Sequence, residues 1–327
     1  MQALLVCALA PFAAVPEASI LDLLSPSART QLRKARAVTE LLDEKGMDIV
    51  IAAAVRSNVD ASRFVSRFRE VEQLLKGSFV DANGRFSSQP RPEDLDALTL
   101  DDDDLDDLRG CRPGRCGVKL SSPEIMRIQA AVRGAGERWK PAALTAFKGV
   151  LVERVVAYRT KGIAGLEPYE DGPETAQPRF VTGQMLEIFE HRGVGRREAL
   201  AYLRNYPAEG LDAESFLYWS KDRLSDDAKP VVSITHAVIM RGSASEPPVA
   251  LMTQVYASHY LNASMSLTTL VPEPAEAPSL AYLRLSTVDV FDGRLGGIVR
   301  RLVQRRIRSD GPRAIDALRR KLEAPDR

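Results

Sequence analysis

The sequence predicts an α+β fold, in which a helical region separates early strands from a run of C-terminal strands and a helix closes the chain. Two observations carry this. Beyond Pro230 the hydrophobic period is two in PVVSITHAVIM, VALMTQVYASHYLNASMSLTTLV and SLAYLRLSTVDVF, which start near residues 230, 249 and 279. That is the pattern of strands with one buried face. From about residue 121 to 224 the period is helical instead, and it is helical again after Gly293. The chain has 327 residues, 45 % hydrophobic and 27 % charged, the balance of a folded protein of one or two domains.

At the start, residues 2–16 (QALLVCALAPFAAVP) form an apolar stretch that contains Cys7. It is shorter than the roughly 20 residues a spanning helix needs. Its length suits the apolar region of a secretory signal peptide, so residues 1–18 are read as a signal and the protein as exported and periplasmic. No basic residue precedes the stretch, and a buried N-terminal helix or a disordered tail is the alternative.

Residues 19–46 then read as an N-terminal helix that ends at Gly46. A first part of the sheet domain follows over 47–120. Met47–Val55 alternates as a strand, and Asp60 caps a helix bearing Phe64, Phe68, Val71 and Leu75. Ser78–Ser87 is a strand or a hairpin around Asn83-Gly84. From Glu93 to Asp107 nine acidic residues alternate with leucines. Short helices with acidic first turns and a solvated acidic face fit this run. It lacks the glycine of a calcium loop.

The helical insertion spans 121–224. Ser121 and Glu124 form a capping box with Pro123 in the first turn. Leu144, Phe147, Leu151, Val155 and Tyr158 lie on one helix face, Met185, Leu186 and Phe189 on another, and Ala213–Trp219 reads as a third helix. Tyr218 and Trp219 are pocket candidates, with ordinary packing as the alternative. Strands and helices of the sheet domain return over 225–327, where the long middle strand bends or divides near Tyr260–Asn262. In the last helix Val299, Val303 and Ile307 form an apolar stripe flanked by arginines. Arg301 and Arg305 are the residues expected to meet anionic membrane headgroups.

Charge and cysteines narrow the function. With 45 Lys/Arg against 44 Asp/Glu the net charge is +1, so bulk charge gives no reason to expect nucleic acid as a partner. Cys111 and Cys116 bracket a Pro113-Gly114 turn in CRPGRC. They read as a small disulfide loop in an oxidising compartment, with two structural thiols as the alternative. No further Cys or His stands nearby for a zinc site. No phosphate loop, dinucleotide fingerprint, zinc protease helix or nucleophile elbow occurs, so neither a cofactor nor a metal is expected.

The residues that can carry chemistry sit on the C-terminal strands. His236 shares parity with Ile234, Val238 and Met240, and His259 with Val255, Ala257 and Leu261. On neighbouring strands both imidazoles would face the apolar side, where they can orient a ligand or exchange a proton. Two neutral core histidines are the plain alternative. The opposite parity carries Gln254, Tyr256, Ser264 and Ser266, a face that is solvated, covered by another domain or used for recognition. Tyr282, Arg284 and Ser286 share a face, and Arg284 either pairs with an acid or holds a ligand carboxylate.

The order of strand, helix, hairpin, helical region, antiparallel strands and terminal helix resembles the helix-grip fold of the START/polyketide-cyclase-like superfamily. The resemblance covers 47–90 and 230–322. FLYWSKD, PVVSITH and QVYASHYLNASMSLT are also similar to an uncharacterised family of exported bacterial proteins. The resemblance implies an elongated apolar cavity for a lipid, polyketide or similar small molecule. The resulting expectation is a carrier of a hydrophobic molecule in the bacterial envelope, with His236, His259, Tyr256, Leu261, Arg284 and Trp219 as ligand contacts. One rival is a cyclase, aromatase or isomerase using His236 and His259. Another is a non-catalytic envelope interaction protein.

Overall fold

The computed structural model describes residues 18–77, 79–208, 210, 212–223, 228–243, 246–273, 276–291 and 296–325. The stretch read as a signal peptide, Cys7 included, lies outside the described residues.

Eight strands build one sheet: β1 (Val38–Leu42), β2 (Ile49–Arg56), β3 (Val80–Arg85), β4 (Ala213–Asp222), β5 (Val231–Met240), β6 (Val249–Ala257), β7 (Leu261–Glu273) and β8 (Glu276–Val288). Their spatial order is β1-β2-β8-β7-β6-β5-β4-β3, and every neighbouring pair is antiparallel. Short connections join β4 through β8 in a meander. The terminal helix α9 (Gly296–Glu323) crosses one face of the curved sheet, the helix-grip-like arrangement expected.

On that face α9 is joined by α2 (Ala61–Arg69) and α3 (Val71–Leu75). Asp60 caps α2 by accepting a hydrogen bond from the Arg63 amide at 2.8 Å. The cap orients Phe64 and Phe68 toward Ile239, Ala250 and Leu280 of the sheet and Ile315 and Leu322 of α9. Near β1 the terminal helix comes so close that a Cβ on Gly311 would stand 2.5 Å from Thr39 Cγ2. Glycine is what permits this approach.

The other face carries the helical insertion. Between β3 and β4 run α4 (Asp102–Gly110), α5 (Ser122–Ala135), α6 (Trp139–Lys161), α7 (Pro178–His191) and α8 (Arg197–Arg204). With α1 (Pro26–Arg33) from the N-terminal segment, they bury the opposite parity of the strands. Ala52 and Ala54 of β2 belong to this core, while Ala53 and Val55 belong to the core under α9. The sheet is therefore sandwiched between two helical layers. That explains why IVIAAAV is apolar at nearly every position rather than strictly alternating.

Three local readings need correction, and two open alternatives resolve. The segment read as one N-terminal helix ends as α1 at Arg33, and Val38–Leu42 forms β1, the edge strand paired with β2. Ala35 at φ +55° turns the chain between them. Ala213–Trp219 belongs to strand β4, where alternate residues serve the two layers: Trp219 enters the insertion core and Tyr218 the α9 side. Of the strand and hairpin alternatives for Ser78–Ser87, the strand forms: Asn83-Gly84 lies within β3, and a Cβ at Gly84 would stand 2.9 Å from the Trp219 indole. The acidic run is not a solvated face throughout. Asp104 is buried, and Asp101 pairs with Lys221 at 2.6 Å. The long middle strand divides as expected into β6 and β7, around Tyr260 at φ +63°.

Candidate functional site

A groove lies between α9 and the sheet. Its apolar end is a cavity of about 530 Å³ whose lining includes Ile51 and Ala53 of β2 and Ile307, Ala314, Ile315 and Leu318 of α9. Its polar end is a cavity of about 430 Å³ over β4 to β8, bordered by Tyr218, Asp222, Ser233, Thr235, Ser264 and Ser266 among others. Phe79, Tyr282 and Arg284 border both. Phe79 is 65 % exposed at this shared wall. Each volume falls in the range of about 300–1,000 Å³ usual for small-molecule sites.

Strand register explains the change of character along the groove. Arg284 of β8 stands opposite Ile51 of β2 on one side and Ser266 of β7 on the other. Across the next pair Ser266 faces Met252 of β6. Toward β2 the floor is aliphatic and roofed by α9. Toward β4 it is lined by hydroxyls. The guanidinium of Arg284 thus marks the seam.

Arg284 Nε donates to Ser286 Oγ at 3.1 Å, and Ser286 Oγ donates to Ser264 Oγ at 3.2 Å. Among the described residues its two terminal nitrogens have no protein acceptor. Asp222, at the far polar end, accepts from Ser220 Oγ at 2.8 Å and Ser233 Oγ at 3.4 Å. Burial raises its carboxyl pKa, against the opposing pull of those two hydroxyls and of the Arg284 charge. The groove thus has one largely aliphatic end, a cation at its centre and hydroxyls beyond it.

Of the ligand contacts expected from the sequence, Arg284 and Leu261 border this groove, as does the pocket candidate Tyr218. The others lie elsewhere. His236 is fully buried behind the sheet. Its Nδ1 is 2.9 Å from Tyr158 Oη and its Nε2 2.7 Å from Ser215 Oγ, which accepts from Tyr202 Oη at 3.0 Å. The Tyr206 ring covers it at 4.5 Å. His259 follows β6 and sets Nε2 3.1 Å from Oδ1 of the buried Asp104 in α4. The two imidazoles are therefore not partners in one site. Both face the insertion layer, but His236 is held by Tyr158 of α6 and Ser215 of β4, and His259 by Asp104 of α4, with no partner in common.

Tyr256 is also buried in the insertion core, edge-on to Phe147 and Tyr169 at 6.2 Å each. The Arg154 guanidinium lies 4.9 Å from its ring centre. Arg154 in turn makes a two-bond pair with Glu124, Nε–Oε1 2.8 Å and Nη2–Oε2 2.6 Å. Trp219 Nε1 donates to the Asp94 carbonyl at 2.9 Å, on the same side of the sheet. Arg301 and Arg305 are exposed on α9. Cys111 and Cys116 form the expected disulfide, and the Pro-Gly turn between them closes through two backbone bonds joining Arg112 and Arg115.

Asp222, Ser233, Thr235 and Phe79 went unrecognised in the sequence. The usable signal was the polar parity of β5 and β7, which fits a solvated surface equally well. Among the described residues no group of three His, Cys, Asp or Glu side chains is placed to hold a metal ion.

Fold and groove together define a helix-grip-like α+β protein with an amphiphilic cavity. No protein-family model, curated protein or solved structure matches the chain.

Proposed function

We propose that the protein binds and carries a hydrophobic small molecule or lipid in the groove between α9 and the sheet. The apolar cavity of about 530 Å³ under α9, sharing a wall with a hydroxyl-lined one, is the observation that carries this. Ligand burial here needs an aliphatic floor and few orienting groups, and no catalytic constellation. The groove lends the enzyme alternative no support, because His236 lies beneath Tyr158 and Tyr206 and His259 against Asp104, both on the insertion side of the sheet. We place the protein in an exported, periplasmic setting. The Cys111–Cys116 bond supports that, since such bonds persist where thiols are not kept reduced.

The test is organic extraction and mass spectrometry of freshly purified protein, with Ala314→Trp as comparison. Ala314 is exposed on α9 and borders the apolar cavity, so the indole fills space without displacing core. The expected result is a co-purifying amphiphile in the natural protein and a several-fold smaller amount in the variant. Equal recovery from both, or none from either together with no uptake of added lipid, overturns the reading.

A second reading concerns where the cargo is exchanged. Ile298 and Leu302 on the outer side of α9 are 49 % and 62 % exposed. Arg301, Arg305 and Arg308 are exposed with them and make no ion pair among the described residues. This combination favours weak contact with an anionic membrane surface.

A further inference from the structure

We infer that the occupant of the groove is a carboxylate-headed amphiphile, its acid gripped by Arg284 and its chain lying toward Ile51, Ala53, Ile315 and Leu318. This rests on the cavity reading above and adds the chemical class of the ligand.

The inference starts from how this fold treats its other inner cations. Arg154 is closed by Glu124 at 2.6 Å, Lys119 by Asp289 at 2.6 Å and Lys221 by Asp101 at 2.6 Å. Each is withdrawn from water and each has its counter-charge, because an unpaired charge in that setting is costly. Arg284 is half-buried in mid-sheet and has no carboxylate within ion-pair distance among the described residues. Its one bond to protein uses Nε, to Ser286. That bond holds the stem and leaves both terminal nitrogens to the groove. A guanidinium presents parallel N–H donors in a rigid fork, and a carboxylate is the planar group that accepts two of them at once.

Position decides which way the ligand lies. Ile51, directly across the ladder from Arg284, begins the aliphatic floor under α9. On the other side lies Ser266, and beyond it the hydroxyls and Asp222. An apolar chain on that side would cover the hydroxyls and the Asp222 carboxyl and strip them of water, whereas under α9 it replaces water on aliphatic carbon. The acid therefore sits on Arg284, with its chain toward β2. Asp222 at the polar end works against a second anionic group there, so a single acid on a single chain fits better than a dianionic head.

The experiment is calorimetric titration of delipidated protein with dodecanoate, dodecanol and methyl dodecanoate at neutral pH and low salt, repeated with Arg284→Gln and Arg284→Lys. In the natural protein the acid is expected to bind at least about tenfold more tightly than the alcohol or the ester. Arg284→Gln should remove that preference, and an unchanged circular dichroism spectrum and denaturant midpoint show that the variant is folded. Arg284→Lys should keep part of the preference, as a charge without the fork. Equal affinity for acid, alcohol and ester in the natural protein overturns the carboxylate assignment and leaves the cavity standing. So does a preference for the acid that persists in Arg284→Gln. If none of the three binds the natural protein, the cavity reading falls as well.

Discussion

Tyr158 Oη lies 2.9 Å from Nδ1 of His236, and with the exposed Ser215 on Nε2 both nitrogens of the fully buried ring are engaged. Burial, with the positive charge of Arg159 adding to it, pulls the pKa of His236 down to about 3. The imidazole is thus a neutral structural link between β5 and α6. Tyr202 donates to Ser215, which leaves the Ser215 proton for Nε2 and puts the ring proton on the Tyr158 side.

A pH dependence follows. In the unfolded chain a histidine protonates near 6.5, whereas here the folded state holds it neutral down to about 3. Between those values the unfolded chain binds more protons. The contribution is complete above 6.5 and is lost as the pH falls toward 3. At about pH 5 the loss is at most about 2 kcal/mol, from roughly 1.4 kcal/mol per pH unit. His236→Gln keeps two hydrogen-bonding ends and cannot charge. Urea unfolding at about pH 7.5 and about pH 5 should show the natural protein losing more stability on acidification than the variant. Equal losses would mean that the ring is not held neutral.

The Arg154–Glu124 pair gives a sharper test of the insertion core. Glu124 also accepts the Ser121 amide at 2.7 Å, so one carboxylate caps α5 and neutralises a buried cation of α6. Arg154→Met leaves that carboxylate buried and alone, and should cost about 3–5 kcal/mol. The double variant Glu124→Gln with Arg154→Met removes both charges while the amide oxygen can still cap Ser121, and should recover much of the loss. Denaturant midpoints of the three variants check this. A cost below about 1 kcal/mol for Arg154→Met would show that the pair is not desolvated.

The alternation of apolar and polar residues made β5 to β8 and the closing helix legible, because a sheet face and a helix stripe impose different periods. β1 was hidden because Val38, Leu41 and Leu42 continue the helical spacing of Leu32, and only the left-handed turn at Ala35 separates them. The site was half legible. Arg284 stood out as a cation among apolar and hydroxyl residues of β8, and Leu261, grouped in the sequence with His259, also borders the groove. His236, Tyr256 and Trp219 were assigned to the cavity on the premise that the apolar parity faces the ligand. Parity tells which residues share a face, but it does not tell which layer covers that face. Here the insertion covers the apolar side, and the more polar side closes under α9.

The outer side of α9 allows a test of how cargo reaches the groove. The stripe Val299, Val303 and Ile307 is half-buried, and Ile307 borders the apolar cavity, so it is engaged with the fold. Ile298 and Leu302 are a second apolar pair on the solvent side. Arg300 and Arg306 are tied to Asp48 and Asp310, whereas Arg301, Arg305 and Arg308 retain their charge for a partner. Near an anionic leaflet each basic side chain contributes about 1 kcal/mol, and the effect is screened within a Debye length. The expected outcome in a flotation assay is reversible binding to vesicles containing phosphatidylglycerol, weakened by salt, with little binding to phosphatidylcholine alone. Arg301→Glu with Arg305→Glu should reduce it by at least about tenfold at unchanged circular dichroism, and Leu302→Ser should reduce it further. Equal recovery on the two vesicle types, or none at low salt, would leave this helix face as solvated surface and would direct the search for cargo exchange to Phe79 at the groove wall.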